Sequence, residues 1–153
     1  MEKSIIKGES DNLEECYKIL MNSELSKIYF SNKDPRKMIS RGLENEDIFV
    51  VLNDEKKCIG FILFEIDGTF GKYPYLHMIV IDKDFQGKGI GKALISYFEN
   101  VIAASYDKVF LMVGDFNKRA KKLYEKLNYE VIGTFPDFYI DGINEYLMMK
   151  YNK

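Results

Sequence analysis

The clearest pattern in the chain is a run of apolar residues that gives way to glycines and then to a helical repeat. Leu76 to Ile81 is apolar except for His77. Asp84-Phe85-Gln86-Gly87-Lys88-Gly89 follows, and then Ile90, Ala93, Leu94, Tyr97, Phe98, Val101 and Ile102 recur at three- and four-residue steps. The first run predicts a buried strand and the last an amphipathic helix. The turn between them puts a row of backbone N–H groups at a helix N-terminus. Such groups lack intrahelical partners and favour anions.

The same patterning predicts the other elements. Ser4 to Gly8 reads as a first strand, and Asp11 with Glu14 as a capping pair before a helix carrying Leu13, Cys16, Tyr17, Leu20 and Met21. Ser26 to Lys33 reads as an intervening stretch whose Tyr29 and Phe30 either line a pocket or pack on the core. Asp34-Pro35 opens a second short helix with Met38, Ile39 and Leu43 on its apolar side. Ile48 to Leu52 and Cys58 to Glu65 form a hairpin across the Asn53 to Lys56 turn, and Asp67-Gly68 with Gly71 marks a loop before the strand at Tyr75 to Ile81. Beyond the long helix, Val109 to Val113 is a strand, and Asn117 caps a helix with Ala120, Leu123, Tyr124 and Leu127 inward. Glu130 to Thr134 and Asn144 to Lys150 close the chain as strands. The elements predict one α/β domain over residues 1–153 with a mixed sheet.

Composition narrows the classes. The chain has 153 residues and a formal net charge of -2, with no basic excess to draw nucleic acid or an anionic membrane. No apolar run reaches membrane-spanning length, and Met1-Glu2-Lys3-Ser4 has no secretory character. Cys16 and Cys58 stand apart without metal-ligand spacing, and His77 is the single histidine. A cytoplasmic protein with free thiols and no metal is expected.

The glycine turn fails two phosphate-binding patterns. A P-loop needs glycine where Gln86 stands and a hydroxyl where Ala93 stands. A dinucleotide fingerprint needs a glycine where Lys92 or Leu94 stands. What remains is Gln86-x-x-Gly89-x-Gly91 between a strand and a helix. It resembles the pyrophosphate-binding motif of the GNAT family of N-acetyltransferases. Ile79-Val80-Ile81 sits where that family's fourth strand splays from the fifth. Asn117, Ala120, Leu123 and Tyr124, followed by Leu127-Asn128-Tyr129, resemble its second cofactor motif, which usually ends Leu-Gly-Phe.

The resemblance implies a single-domain acyl-coenzyme A N-acyltransferase fold. Its central sheet is mixed and mostly antiparallel, flanked by helices and splayed between the fourth and fifth strands. It implies direct acetyl transfer from acetyl-coenzyme A, without a metal, to a primary amine of a small molecule or peptide. By the same resemblance, the turn residues Gln86, Gly87, Lys88, Gly89, Ile90, Gly91 and Lys92 hold the pyrophosphate. Ile79, Val80 and Ile81 pair with pantetheine amides, and Asn117 contacts pantetheine. Tyr124 is the proton donor to the leaving thiolate. The base is His77, Glu65 or water alone, because the family's usual strand glutamate is missing beside Tyr75-Leu76-His77. Leu111-Met112-Val113 departs from the Leu-Glu-Val of many protein N-terminal acetyltransferases. The loop from Phe135 to Gly142 resembles the acceptor-covering loop, where Asp137 and Asp141 would attract a cationic amine. A homodimer is admitted. The alternative is a non-catalytic acyl-coenzyme A sensor of the same fold.

Overall fold

The computed structural model describes residues 4–152. Seven strands form one sheet in the order β1-β2-β3-β4-β5-β7-β6, with β1 Ser4–Lys7, β2 Ile48–Leu52, β3 Cys58–Thr69, β4 Tyr73–Ile81, β5 Lys108–Gly114, β6 Glu130–Phe135 and β7 Glu145–Tyr151. The helices are α1 Leu13–Met21, α2 Glu24–Tyr29, α3 Arg36–Glu44, α4 Ile90–Tyr97 and α5 Lys118–Lys126. This is the mixed sheet with flanking helices that the sequence predicts. The β1–β2, β2–β3, β5–β7 and β6–β7 pairs are antiparallel, and β4 and β5 are parallel. The parallel register joins Tyr75 to Phe110 and Leu76 to Leu111, and β4 then runs on to Ile81.

The chain divides into two compact units. The first takes the described residues of Met1–Phe64 and Met78–Phe98, and the second Glu65–His77 and those of Glu99–Lys153. In the first unit, Cys16, Leu20 and Ile39 from the helices meet Ile48, Val50, Phe61 and Val80 from the strands, all nearly solvent-free. The i, i+3, i+4 spacing of α1 and the alternation of β2 bring these side chains to one face. Arg36 lies 3.6 Å from the centre of the Tyr17 ring and also reaches Glu14, which ties α3 to α1. In the second unit Tyr75, Phe110 and Leu147 form a smaller core, with Tyr73, Met112, Phe135 and Met149 against it.

Several local expectations are corrected. Asp11 and Glu14 are not the capping pair: Glu9 and Asn12 instead box the 3-10 turn Ser10–Asn12 that leads into α1, with Asn12 Oδ1 accepting the Glu9 N–H at 2.9 Å and its amide donating to Glu15 at 3.0 Å. Ser26 to Tyr29 is helical within α2, because Ser26 Oγ donates to the Ser23 and Met21 carbonyls instead of breaking the chain. Tyr29 and Phe30 are half-buried, and Phe30 packs on the first core. Asp67-Gly68 lies inside β3, and the reversal occurs at Phe70-Gly71, whose φ values are 56° and 68°. Cys16 and Cys58 are not isolated. They share a hydrogen bond in the first core. That bond and burial push the Cys16 thiol up, while for Cys58 the same bond outweighs burial and brings the thiol down.

Candidate active site

In the first unit the glycine turn is built as the sequence predicts. Asp82 Oδ1 accepts the Asp84 N–H at 2.9 Å and starts a 3-10 turn over Lys83–Phe85. Gln86 Nε2 donates to the Ile81 carbonyl at 3.3 Å, which closes the turn back onto the end of β4. Gly89 is the N-cap of α4 at φ 79°, a left-handed conformation that a Cβ would strain. Its carbonyl accepts the first helical hydrogen bond, from the Ala93 N–H at 3.1 Å. The amides of Ile90, Gly91 and Lys92 therefore precede the intrahelical ladder and point outward at the positive end of the helix dipole.

Gly91 carries separate information. It sits in α4 with ordinary helical backbone, and a Cβ built there meets nothing within 4 Å. Neither backbone conformation nor packing requires glycine at this position. What glycine leaves there is open space over the amide row, which fits a pyrophosphate lying close to the backbone. Lys88 lies exposed beside the Phe85 ring at 5.2 Å, and Lys92 is exposed as well. Ile79 and Ile81 are half-buried and Val80 is buried.

In the second unit Asn117 caps α5, its Oδ1 accepting the Ala120 N–H at 3.2 Å. Its side-chain amide makes no hydrogen bond to another described residue, so the donor end is available to a ligand. Tyr124 lies on the inward side of α5, half-buried, with its ring against Tyr129. Its hydroxyl makes no hydrogen bond within the described chain, and burial alone pushes the phenol up to about 12.

His77 and Glu65 enter the sequence reading as alternatives, and the fold couples them. His77 Nε2 lies 3.0 Å from Glu65 Oε1 across β3 and β4. With the proton on Nε2, the ring donates to the carboxylate and leaves Nδ1 as an acceptor. Tyr75 packs edge-on to His77 at 5.0 Å and shares a hydrogen bond with Tyr139. Asp137 is held in the hairpin, its Oδ1 accepting the Gly142 N–H at 2.6 Å.

Sequence reasoning missed a buried polar group in the same unit. Tyr129 donates its hydroxyl to Glu99 Oε2 at 2.7 Å, and Lys150 donates to Glu99 Oε1 at 2.8 Å. The helical repeat carried no signal of it, because Glu99 falls between the apolar positions Phe98 and Val101. Burial raises the Tyr75 and Tyr129 phenols, helped by Tyr139 beside the first and by Glu99 beside the second.

The sign of these shifts fixes a pH dependence. Tyr75, Tyr124 and Tyr129 hold their protons when folded, whereas in the unfolded chain they ionise near ~10. Their contribution is complete below pH ~10 and is lost as pH rises beyond it. The thermal midpoint is expected to stay level from pH 8 to 9.5 and to fall steeply above pH 10. Calorimetry across that range checks it.

Among the described residues no group of three or more His, Cys, Asp or Glu side chains is arranged to hold a metal ion, and no helix is long and apolar enough to cross a membrane.

Comparison with known proteins bears on the family and the fold. An acetyltransferase of Pectobacterium atrosepticum is 37% identical over 101 residues, which is 65% of this chain and 70% of that protein. Among solved structures, a GNAT-family acetyltransferase from Bacillus cereus has a TM-score of 0.82 at 17% identity, covering 100% of this chain and 99% of that chain. The ribosomal-protein-S18-alanine N-acetyltransferase of Escherichia coli has a TM-score of 0.78 at 19% identity, over 99% of this chain and 95% of that one. Both structures share the fold. Residues 13–129 match the Acetyltransferase (GNAT) family, and with that match over most of its length the chain belongs to this family.

Proposed function

We propose that the protein transfers the acetyl group of acetyl-coenzyme A directly to a primary amine of a small molecule or peptide. The observation that carries this reading is the α4 turn. There Gly91 leaves open space over an amide row that the fold itself does not need.

Acetyl-coenzyme A supplies an already activated thioester, so no nucleophile of the chain is required. Neither Cys16 nor Cys58 is exposed to act as one. The amides of residues 86 to 92 hold the pyrophosphate, with Lys88 and Lys92 adding positive potential. The backbone at Ile79 to Ile81 pairs with the pantetheine amides as an added strand would, and an N–H near Ile79 polarises the thioester carbonyl. In the second unit, the Asn117 amide is the donor that the family resemblance assigns to pantetheine. Between them these contacts supply proximity and orientation.

Two proton transfers remain. The acceptor amine, with a pKa near ~10.4 if lysine-like, must lose a proton before it attacks. His77 Nδ1 takes that proton, and the resulting imidazolium is stabilised by Glu65 at 3.0 Å. The departing thiolate takes a proton from the Tyr124 hydroxyl, which is protonated at neutral pH and bonded to nothing else in the described chain.

The test is release of coenzyme A thiol from acetyl-coenzyme A in the presence of lysine, spermidine, an alanine-terminated peptide and a lysine-containing peptide. Amine-dependent release is expected. Tight acetyl-coenzyme A binding without release for any of these amines would overturn the transfer reading and leave a sensor.

A further inference from the structure

We propose that Glu99 and Tyr129 are positioning residues for the Tyr124 phenol, an inference that rests on Tyr124 as the proton donor. The starting point is that the Tyr124 hydroxyl has no hydrogen-bond partner in the described chain. Nothing polar holds it, so its placement depends on the backbone beneath it and the ring beside it.

Tyr129 supplies both. The Tyr129 N–H donates to the Tyr124 carbonyl at 3.0 Å, and the Asn128 N–H donates to the Glu125 carbonyl at 3.0 Å. Asn128 is left-handed at φ 74°. These two bonds around a left-handed residue form a Schellman cap, with Tyr124 as the third residue from the helix end and Tyr129 just beyond the turn. The apolar contact typical of that cap is here a contact between two rings. Tyr124 and Tyr129 meet edge to face at 5.9 Å and 63°. The ring that walls Tyr124 is thus built into the end of its own helix.

That wall is itself tethered. Tyr129 is 2% exposed and Glu99 8%, so their 2.7 Å hydrogen bond is shielded from water. Lys150 balances the buried carboxylate at 2.8 Å. Glu99 is directed inward by the π-turn Phe98–Ile102, whose extra residue per turn breaks the α4 periodicity. Asn152 secures that turn by donating to the carbonyls of Glu99, Ala103 and Tyr106. An ordinary C-cap needs only an apolar contact at Tyr129. A charged, counterbalanced tether on its hydroxyl fixes the ring more tightly than capping requires, and Tyr124 is what the ring touches.

The test combines kinetics with a probe that needs no acceptor. Tyr129→Phe and Glu99→Ala should each lower kcat roughly tenfold to hundredfold, the scale for displacing a catalytic group by about an ångström. KM for acetyl-coenzyme A should not change. Glu99→Gln, which still accepts the Tyr129 hydroxyl, should recover most of the rate. In a Tyr124→Phe background the same changes should lower kcat no further. The ζ-13C resonance of Tyr124, assigned by its loss in Tyr124→Phe, should move in Glu99→Ala and return toward its original position in Glu99→Gln. Glu99→Gln also serves should Tyr129→Phe fold poorly. A resonance unmoved by Glu99→Ala, or equal losses of kcat with and without Tyr124, would overturn the positioning role. A Tyr124→Phe enzyme of undiminished kcat would instead overturn the donor assignment, and the resonance would still report the tether.

Discussion

Tyr124→Phe is expected to lower kcat by about 10²–10⁴-fold, the usual contribution of a positioned general acid. That corresponds to about 3–5 kcal/mol of transition-state stabilisation. KM for acetyl-coenzyme A should stay within a factor of two, because the hydroxyl acts on the sulfur only as the bond to the acetyl group breaks. The substitution is clean for a structural reason: the hydroxyl bonds to no described residue, so its removal leaves no partner unsatisfied. Stability should be unchanged or slightly higher. Steady-state thiol release and thermal unfolding of the same sample read both quantities. A parallel rise in KM with kcat preserved would move Tyr124 from proton transfer to donor binding.

Gly91→Ala should separate binding from stability, with opposite signs. Alanine has higher helix propensity than glycine by up to about 1 kcal/mol. The added Cβ meets nothing within 4 Å, so the folded chain should be as stable as before or more so. Affinity for acetyl-coenzyme A should nevertheless fall roughly tenfold to hundredfold. That is the worth of one charge-assisted hydrogen bond, about 1.5–3 kcal/mol, which a methyl group prevents the pyrophosphate from making. Calorimetric titration with coenzyme A measures it. Unchanged affinity with raised stability would mean that the pyrophosphate lies elsewhere. Gly89 is a poorer probe, since at φ 79° its replacement strains the backbone as well as the site.

Local pattern carried much of this into the sequence. The glycine turn, the Asn117 cap and both long helical repeats are written in residues a few positions apart, where propensity and hydrogen-bonding chemistry decide. The short helix α2 was hidden because its six residues are too few to show a helical repeat. The extent of β3 was hidden because Asp67-Gly68 has turn chemistry, while pairing beside β4 overrides it. The insertion of β7 between β5 and β6 is a matter of non-local pairing, which no local pattern records. Candidate chemistry divided in the same way. Tyr124 and Asn117 are proposed through their motif. The coupling of His77 to Glu65 bridges twelve positions, and the Lys150 bond to Glu99 bridges fifty-one. Sequence separation hid these pairings: His77 and Glu65 stood as alternatives, and Glu99 and Lys150 read as ordinary surface charges.

The cap at the end of α5 also bears on which changes of chain length the protein tolerates. Each residue of an α-helix turns the next side chain by about 100°. One residue inserted or deleted between Asn117 and Tyr124 would swing the phenol off the inward face while leaving composition nearly unchanged. One between Tyr124 and Tyr129 would dissolve the two backbone bonds that close the helix. The segment from Pro136 to Asn144 keeps no helical phase, only turn bonds such as Gly142 to Asp137, and its length is the freer variable. Relatives that differ in acceptor are therefore expected to differ in length there, and to count the same number of residues from the asparagine cap to the ring beyond the helix.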